Sequence, residues 1–343
     1  MRTAIVTGAF GFAGANLVME LISSGFFVYA VGRPGSSHND RFSGLCGIKE
    51  IFLEMEDYDR LPEIIDSVGD NDKPQEIIDV SDIEYFFHLA WGGDRNDRLA
   101  QEKNIEGTLK AFGAAFCINP GIRFIATGSQ AEYGVVPFDE VITEETPLSP
   151  ITAYGSAKAE TYRQLLRKSK ELSCDFIWAR IFSLIGRFEP SGRMFPDLIN
   201  NLKAGKEVSL SSCTQYWDYL DARDAARALI ALAEHGRNGE AYNIASATPR
   251  PLKDYVEEIA AIIDKYRLDS ENDRRAVNNS QTINAAENIN VRSQLPKSSS
   301  LITYGPPPSP FISLRPSITK IVSDTSWNPA IAITQTIEQN YMI

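Results

Sequence analysis

Short apolar runs and longer amphipathic stretches take turns from residue 3 to about residue 130. "TAIVT" reads as a short buried strand, and "FAGANLVMELISS" then places apolar residues at i, i+3, i+4 and i+7, the period of a helix face. Gly25 stands where a helix C-cap belongs, and "FFVYAVG" predicts a second strand after it. "GIKEIFLEM" and "EYFFHLA" predict two more strands, with a short helix, "RLPEIIDSV", between them. "NIEGTLKAFGAAFCI" predicts another helix that leads into the strand "RFIATGS". Alternation of this kind builds βαβ units, and therefore a parallel sheet with helices on both faces. The expected class is α/β, doubly wound.

The pattern continues with the long helix "TAYGSAKAETYRQLLRKSKEL" and the strand "CDFIWARI", then loosens from Phe182. "RFEPSGRMFPDLINNLKAGKEVSL" carries turn signals, a helix and a strand; "ARDAARALIALAEHG" is a helix, and "EAYNIA" returns to the sheet. The boundaries that follow are 1–181 plus about 219–247 for a dinucleotide-binding domain, and about 182–218 plus 248–343 for a smaller substrate-binding domain. Within the latter, 269–310 is rich in Asn, Ser and Pro ("NNSQTINAAENIN", "GPPPSP") and predicts a loop-rich segment, either a long loop over a pocket or a partly disordered insertion. The last thirty residues regain a helical pattern.

Composition narrows the function classes. A net charge of -11 argues against a nucleic-acid binder, although a local positive pocket can still take an anion. The four cysteines are widely spaced without a CxxC pair, which reads as reduced thiols in a cytoplasmic protein. The three histidines, His38, His88 and His235, have no ligand spacing, so no metal site is expected. No apolar stretch approaches the roughly 20 residues of a membrane span. Glycine also interrupts the apolar N-terminus too early for a signal peptide.

Candidate chemistry begins at "TGAFGFAG". A strand, a glycine turn and a helix N-terminus make a ready anion site of unpaired backbone N–H groups. Gly8 permits the sharp turn, Gly11 lets a pyrophosphate approach the backbone, and Gly14 lets the helix lie close to the strand; Phe10 and Phe12 share this cofactor-binding turn. The sheet is then of the Rossmann type. At the end of the second strand an acid would bind the ribose 2′-hydroxyl of NAD, whereas an arginine takes a 2′-phosphate. Here Gly32 holds the acid position with Arg33 beside it, and Ser36, Ser37 and Arg41 follow. That pattern points to NADP(H), the other reading being NAD(H) bound without the acidic anchor. Glu54 and Met55, ending the third strand, are expected beside the adenine, with Leu89 and Ala90 lining the cleft through their backbone. His88 is expected to be a buried strand residue, and Trp91 either caps a substrate pocket or packs.

Tyr154 and Lys158, four residues apart at the start of a helix, share a face. A nearby ammonium favours the phenolate and would lower the tyrosine's pKa toward useful acid–base range. Ser129 ends "RFIATGS" at the carboxyl edge of the sheet, where doubly wound folds bind ligands and a hydroxyl could hold a substrate carbonyl.

Together, Gly8/Gly11/Gly14, "HLA" at 88–90, Asn104, Ser129 before Tyr133-Gly134, and Tyr154-x-x-x-Lys158 resemble the extended short-chain dehydrogenases/reductases, that is, the nucleotide-sugar epimerases, dehydratases and ketoreductases. The resemblance runs to about residue 260 and faintly through the C-terminus. It implies that Ser129 and Tyr154 act on a sugar hydroxyl or ketone, that Lys158 orients the cofactor, and that Asn104 supports Lys158 through water. The 4,6-dehydratases carry Asp-Glu directly after the serine; this chain has Gln130-Ala131, and a strand-like Glu132 would face the other way. Trp217 takes the place of an arginine that grips the diphosphate in many members, leaving Arg187 or Arg193 for that task, and Ser183 replaces a common asparagine. The expected reaction is NADPH-dependent reduction of a 4-keto(-6-deoxy) nucleotide sugar by a homodimer, with a 4-epimerase as the close alternative and a silent dinucleotide-binding sensor or scaffold as the distant one. Substrate contacts are assigned to Trp91, Gln130, Ser183, Arg187 and Arg193.

Overall fold

The computed structural model describes residues 2–71, 82–278 and 296–342. Its first half runs β1 (Thr3–Thr7), α1 (Phe12–Ser23), β2 (Phe27–Gly32), β3 (Ile48–Phe52), α2 (Leu61–Asn71), β4 (Ile83–His88), α3 (Arg98–Ile118), β5 (Arg123–Ser129), α4 (Ala153–Leu172) and β6 (Asp175–Ile181). Then come β7 (Ser183–Ile185), α5 (Met194–Lys203), β8 (Val208–Leu210), β9 (Tyr216–Trp217), β10 (Tyr219–Asp221) and α6 (Ala222–His235). The remainder holds β11 (Ala241–Ile244), β12 (Arg250–Pro251), α7 (Leu252–Asn278), β13 (Ile302–Tyr304), α8 (Thr319–Thr325) and α9 (Ile333–Tyr341).

Seven strands form one parallel sheet in the order β11-β6-β5-β4-β1-β2-β3. Every residue of β1 is buried, as a strand covered on both faces requires. Successive side chains serve opposite layers: Val6 and Phe87 join one core, Ile5 and Phe86 the other. From β1 the chain winds outward through β2 and β3, then returns to place β4 on β1's other side. This reversal opens a crevice at the carboxyl ends of β1 and β4, where doubly wound folds bind ligands.

A third, smaller core gathers Ile185, Phe195, Ile199, Tyr255, Ile259 and Ile337 beside the sheet. Two sequence expectations change here. Leu314, Ile318, Ile321 and Trp327 pack into a sheet-side core, so α8 belongs with the sheet layer rather than with the smaller body expected for 248–343. The loop-rich reading of 269–310 holds at 305–310, which is irregular, but fails at 269–278 and at 298–304. No Gly or Pro interrupts Leu252–Asn278, and α7 runs through all of it. Beyond residues 279–295, which lie outside the described ones, Ser298–Leu301 forms a 3-10 turn and β13 pairs in parallel with β8.

Candidate active site

The crevice begins where β1 ends. Gly8 has φ +70, and a Cβ on it would lie 2.6 Å from the Ala90 nitrogen at the end of β4. A Cβ on Gly14 would lie 2.1 Å from the Gly8 carbonyl oxygen, so only glycine lets α1 approach the turn this closely. Side chains of Asp97, Thr152 and Asp221 cap α3, α4 and α6, whereas α1 starts at Gly11 with no side-chain cap. The first turn of α1 thus keeps N–H groups for an anion, and the glycine cradle fits a dinucleotide pyrophosphate.

A cleft of about 550 Å³ follows from this turn along the ends of β2 and β3. Gly8, Phe10 and Gly11 line it, as do Arg33 and Ser36 beyond β2, Glu54 and Met55 beyond β3, and Leu89, Ala90 and Trp91 beyond β4. At Gly32, a Cβ would sit 2.3 Å from the Phe10 ring, which is packed at 4.9 Å on Phe42 and 5.5 Å on Phe52. The usual place of a ribose-binding acid is therefore filled by an aromatic cluster. Two of the residues expected beyond β2 lie outside the cleft. Ser37 is exposed on the loop, and Arg41 donates to the Phe10 carbonyl while its guanidinium stacks 4.8 Å from the Phe188 ring. His38, Tyr58 and Lys103 line the cleft without having been expected; only His38, inside the basic "GRPGSSH" loop, carried a local signal.

A second cavity of about 510 Å³ adjoins the first, with Leu89 and Trp91 in the walls of both. Ser129 enters it from the end of β5, and Tyr154 and Lys158 from the first turns of α4, which Thr152 fixes by accepting from the Gly155 N–H at 3.0 Å. The nearby Ser129 hydroxyl favours the ionised form of the Tyr154 phenol, but burial outweighs that and pushes the phenol above its usual value. The expected lowering by Lys158 is absent here. Its ammonium donates to the Thr127 carbonyl at 2.6 Å and stands 3.6 Å over the Trp91 ring, with the Tyr154 ring 6.0 Å away. Burial instead drives Lys158 itself down to about 7, with Glu132 opposing. The cation nearest Tyr154 is Arg95, 4.6 Å over its ring, a residue the spacing rules did not reach.

Gln130, Ser183, Arg193 and Trp217 also line this cavity, whereas Arg187 does not. The Arg187 carbonyl accepts from Asn16 at 2.9 Å and its guanidinium stacks 4.6 Å from Phe188, so the loop turns it outward. Arg193 stands 5.4 Å over the Phe12 ring and 4.0 Å from Glu189. Glu189 is a buried cavity carboxylate that receives the Tyr341 hydroxyl, and burial raises its pKa. Asn104 is occupied at both ends by Gly92, donating to its carbonyl at 2.8 Å and accepting its N–H at 3.1 Å, and does not bond Lys158. Glu132 does face away from the cavity, but through a 3-10 turn at Gln130–Glu132 rather than strand alternation. It is fully buried, accepts the Ser129 N–H at 2.8 Å and pairs with Arg180 at 2.9 Å. His88 is likewise internal, held by Thr7 at 2.8 Å and Thr108 at 3.0 Å. No metal-holding cluster of His, Cys, Asp and Glu occurs among the described residues, and no helix among them is long and apolar enough to cross a membrane.

UDP-glucose 4-epimerase 4 of Oryza sativa subsp. japonica is 26% identical over 298 residues, 77% of each chain. dTDP-6-deoxy-L-talose 4-dehydrogenase (NAD(+)) of Aggregatibacter actinomycetemcomitans is 25% identical over 265 residues, 75% of this chain and 89% of the other. Among solved structures, dTDP-glucose 4,6-dehydratase from Bacillus anthracis in complex with NAD superposes with a TM-score of 0.77 at 19% identity, covering 99% of this chain and 95% of that one. At such identity the superposition speaks for the fold. The description "NAD dependent epimerase/dehydratase family" matches residues 4–245, the stretch that carries both the glycine cradle and the Ser129–Tyr154–Lys158 cavity. By that match the chain belongs to the NAD dependent epimerase/dehydratase family, enzymes of the extended short-chain dehydrogenase/reductase type.

Proposed function

We propose that this enzyme reduces the ketone of a 4-keto(-6-deoxy) nucleotide sugar with NADPH. The observation that carries the reading is the single cavity joining Ser129, Tyr154 and Lys158, adjoining the dinucleotide cleft, with Glu132, the acid nearest Ser129 in the chain, withdrawn into an ion pair with Arg180. Gly8, Gly11, Leu89 and Ala90 would hold the dinucleotide, with Arg33, Ser36 and His38 at the ribose 2′ end. When bound, it supplies the hydride for the ketone carbon and is oxidised. Ser129 donates a hydrogen bond to the ketone oxygen, and Tyr154 delivers its phenol proton to that oxygen as negative charge develops, later regaining one from solvent. A phenol raised by burial stays protonated at neutral pH, which suits a proton donor better than a base. Gln130 and Ala131 follow Ser129 where the 4,6-dehydratases carry an acid and a base, which disfavours loss of water. Arg95 and Arg193 are the cavity's candidates for the substrate diphosphate.

Phe10 against Gly32, with Arg33 free of any carboxylate partner among the described residues, supports NADP(H) over NAD(H). The second reading, a 4-epimerase that re-reduces its own oxidised sugar, draws on the rice relative. Incubation with NADPH and a panel of 4-keto nucleotide sugars should consume the reduced-nicotinamide absorbance in step with ketone loss. Interconversion of a UDP-hexose with no net cofactor change would replace the first reading by the second.

A further inference from the structure

Trp91 stands at the boundary of the two cavities. It and Leu89 line both, whereas Ser129, Tyr154 and Lys158 line the catalytic cavity and not the dinucleotide cleft. Gly8 and Gly11 open on the cleft, so a dinucleotide seated on the glycine cradle reaches Tyr154 past these two shared residues. Leu89 is fixed, because its N–H donates to the Thr7 carbonyl at 3.0 Å. The backbone after Trp91 is fixed too, since Asn104 holds both the N–H and the carbonyl of Gly92. Between these anchors, what can move is the half-buried Trp91 side chain, by rotation about its own bonds.

Two contacts hold the ring in place. Its indole N–H donates to the Gln101 side-chain oxygen at 2.7 Å, and its face lies 3.6 Å from the Lys158 ammonium. An ammonium has three donors. Among the described residues Lys158 makes one hydrogen bond, to the Thr127 carbonyl at 2.6 Å, and it is only 3% exposed. The ring therefore covers a buried cation whose other donors meet no oxygen. A π face attracts such a cation without offering its N–H groups directed acceptors; hydroxyl oxygens offer both.

We infer that Trp91 is a gate between cleft and cavity: its indole turns off Lys158 as the nicotinamide half of the dinucleotide enters, and the ammonium gives its remaining donors to the hydroxyls of the arriving ribose. This rests on the hydride-transfer reading, which requires the nicotinamide beside Ser129 and Tyr154. The Trp91 ring also meets the Tyr154 ring edge-on at 6.1 Å, so one rotation changes the surroundings of the cation and of the proton donor together. The two halves of the dinucleotide then bind unequally. The adenine half meets an open cleft, while the other half displaces the ring, and the affinity for the whole is lowered by the fraction of molecules whose gate stands open.

The test is isothermal titration of the full chain with NADP(+) and with adenosine 2′,5′-bisphosphate, the half that stops short of Trp91. Trp91→Ala should tighten NADP(+) by about 10-fold and leave the bisphosphate within about 2-fold, because nothing is left for the nicotinamide half to displace. Trp91→Phe keeps a ring over Lys158 but loses the N–H to Gln101, and should tighten NADP(+) by about 3-fold. A general loosening of the fold acts on both ligands, so equal changes for the two overturn the gate. Weaker NADP(+) binding in Trp91→Ala overturns it as well, since the indole would then be a fixed platform for the nicotinamide. Should Trp91→Ala fail to fold, the same comparison in Trp91→Phe decides. If neither ligand binds the parent chain, the NADP(H) reading itself falls and takes the gate with it.

Discussion

Single side chains decide the chemistry. Tyr154→Phe keeps the ring beneath Arg95 and removes the transferable proton, so the reduction rate should fall by about 10²- to 10⁴-fold while NADPH affinity holds. An unchanged rate would remove Tyr154 from the reaction. Because burial raises the phenol, the reductive kcat should stay level through neutral pH and decline only as the phenol ionises, above its ordinary value of 10; an alkaline limb well below that would contradict the assignment. Arg33→Ala should weaken NADPH by about 10- to 100-fold, as loss of a charge-assisted contact does, and NADH far less. Equal losses for the two would point to a cleft that ignores the 2′ position. Ser129, Tyr154 and Lys158 were legible because a strand end and a four-residue helical spacing fix them locally. Arg95 and Glu189 were not, since they reach the cavity from loops whose paths only tertiary packing sets. Arg41 and Arg187 misled for a related reason: both lie against Phe188, and no local spacing reveals a cation seated on a ring.

Among the elements, the 3-10 turn after β5 has the largest structural role for its size. Glu132 satisfies the Ser129 N–H, the Trp178 indole and the Arg180 guanidinium at once, so the carboxylate sets the backbone from which Ser129 projects. Removing one partner of a buried pair leaves the other uncompensated. Glu132→Gln should therefore cost about 3–5 kcal/mol in denaturant unfolding, and pairing it with Arg180→Met should recover much of that loss. A cost below about 1 kcal/mol would mean that solvent screens the pair as it does a surface one. The seven strands of the main sheet and most helices were readable from apolar periodicity, whereas the two- and three-residue strands β7, β9, β10, β12 and β13 were not. The continuation of α7 through Asn278 was obscured by polar composition, which resembles that of a loop although nothing in it breaks a helix. The 3-10 turn was likewise hidden, because three residues are too few for a period to declare itself.

At the scale of the whole molecule, burying Lys158 couples stability to pH. Its folded value near 7 lies below the ordinary lysine value of 10.5, so between these limits the unfolded chain binds more protons than the folded one. The burial cost is complete below about pH 7 and is relieved as pH rises, at up to about 1.4 kcal/mol per unit. The gain in stability from Lys158→Met should then be largest in mildly acidic buffer without cofactor and shrink toward pH 10; melting curves whose separation does not vary with pH would refute it. The chain also passes repeatedly between the sheet-side cores and the smaller one: out at Ile185, back at Leu220, out at Leu252, back at Leu314 and out again at Ile337. The body over the cavity is thus no contiguous cassette. It cannot be excised at one loop or exchanged whole for a relative's, so a lineage of this architecture acquires new substrates by changing the residues that line the cavity, one position at a time, and keeps the frame.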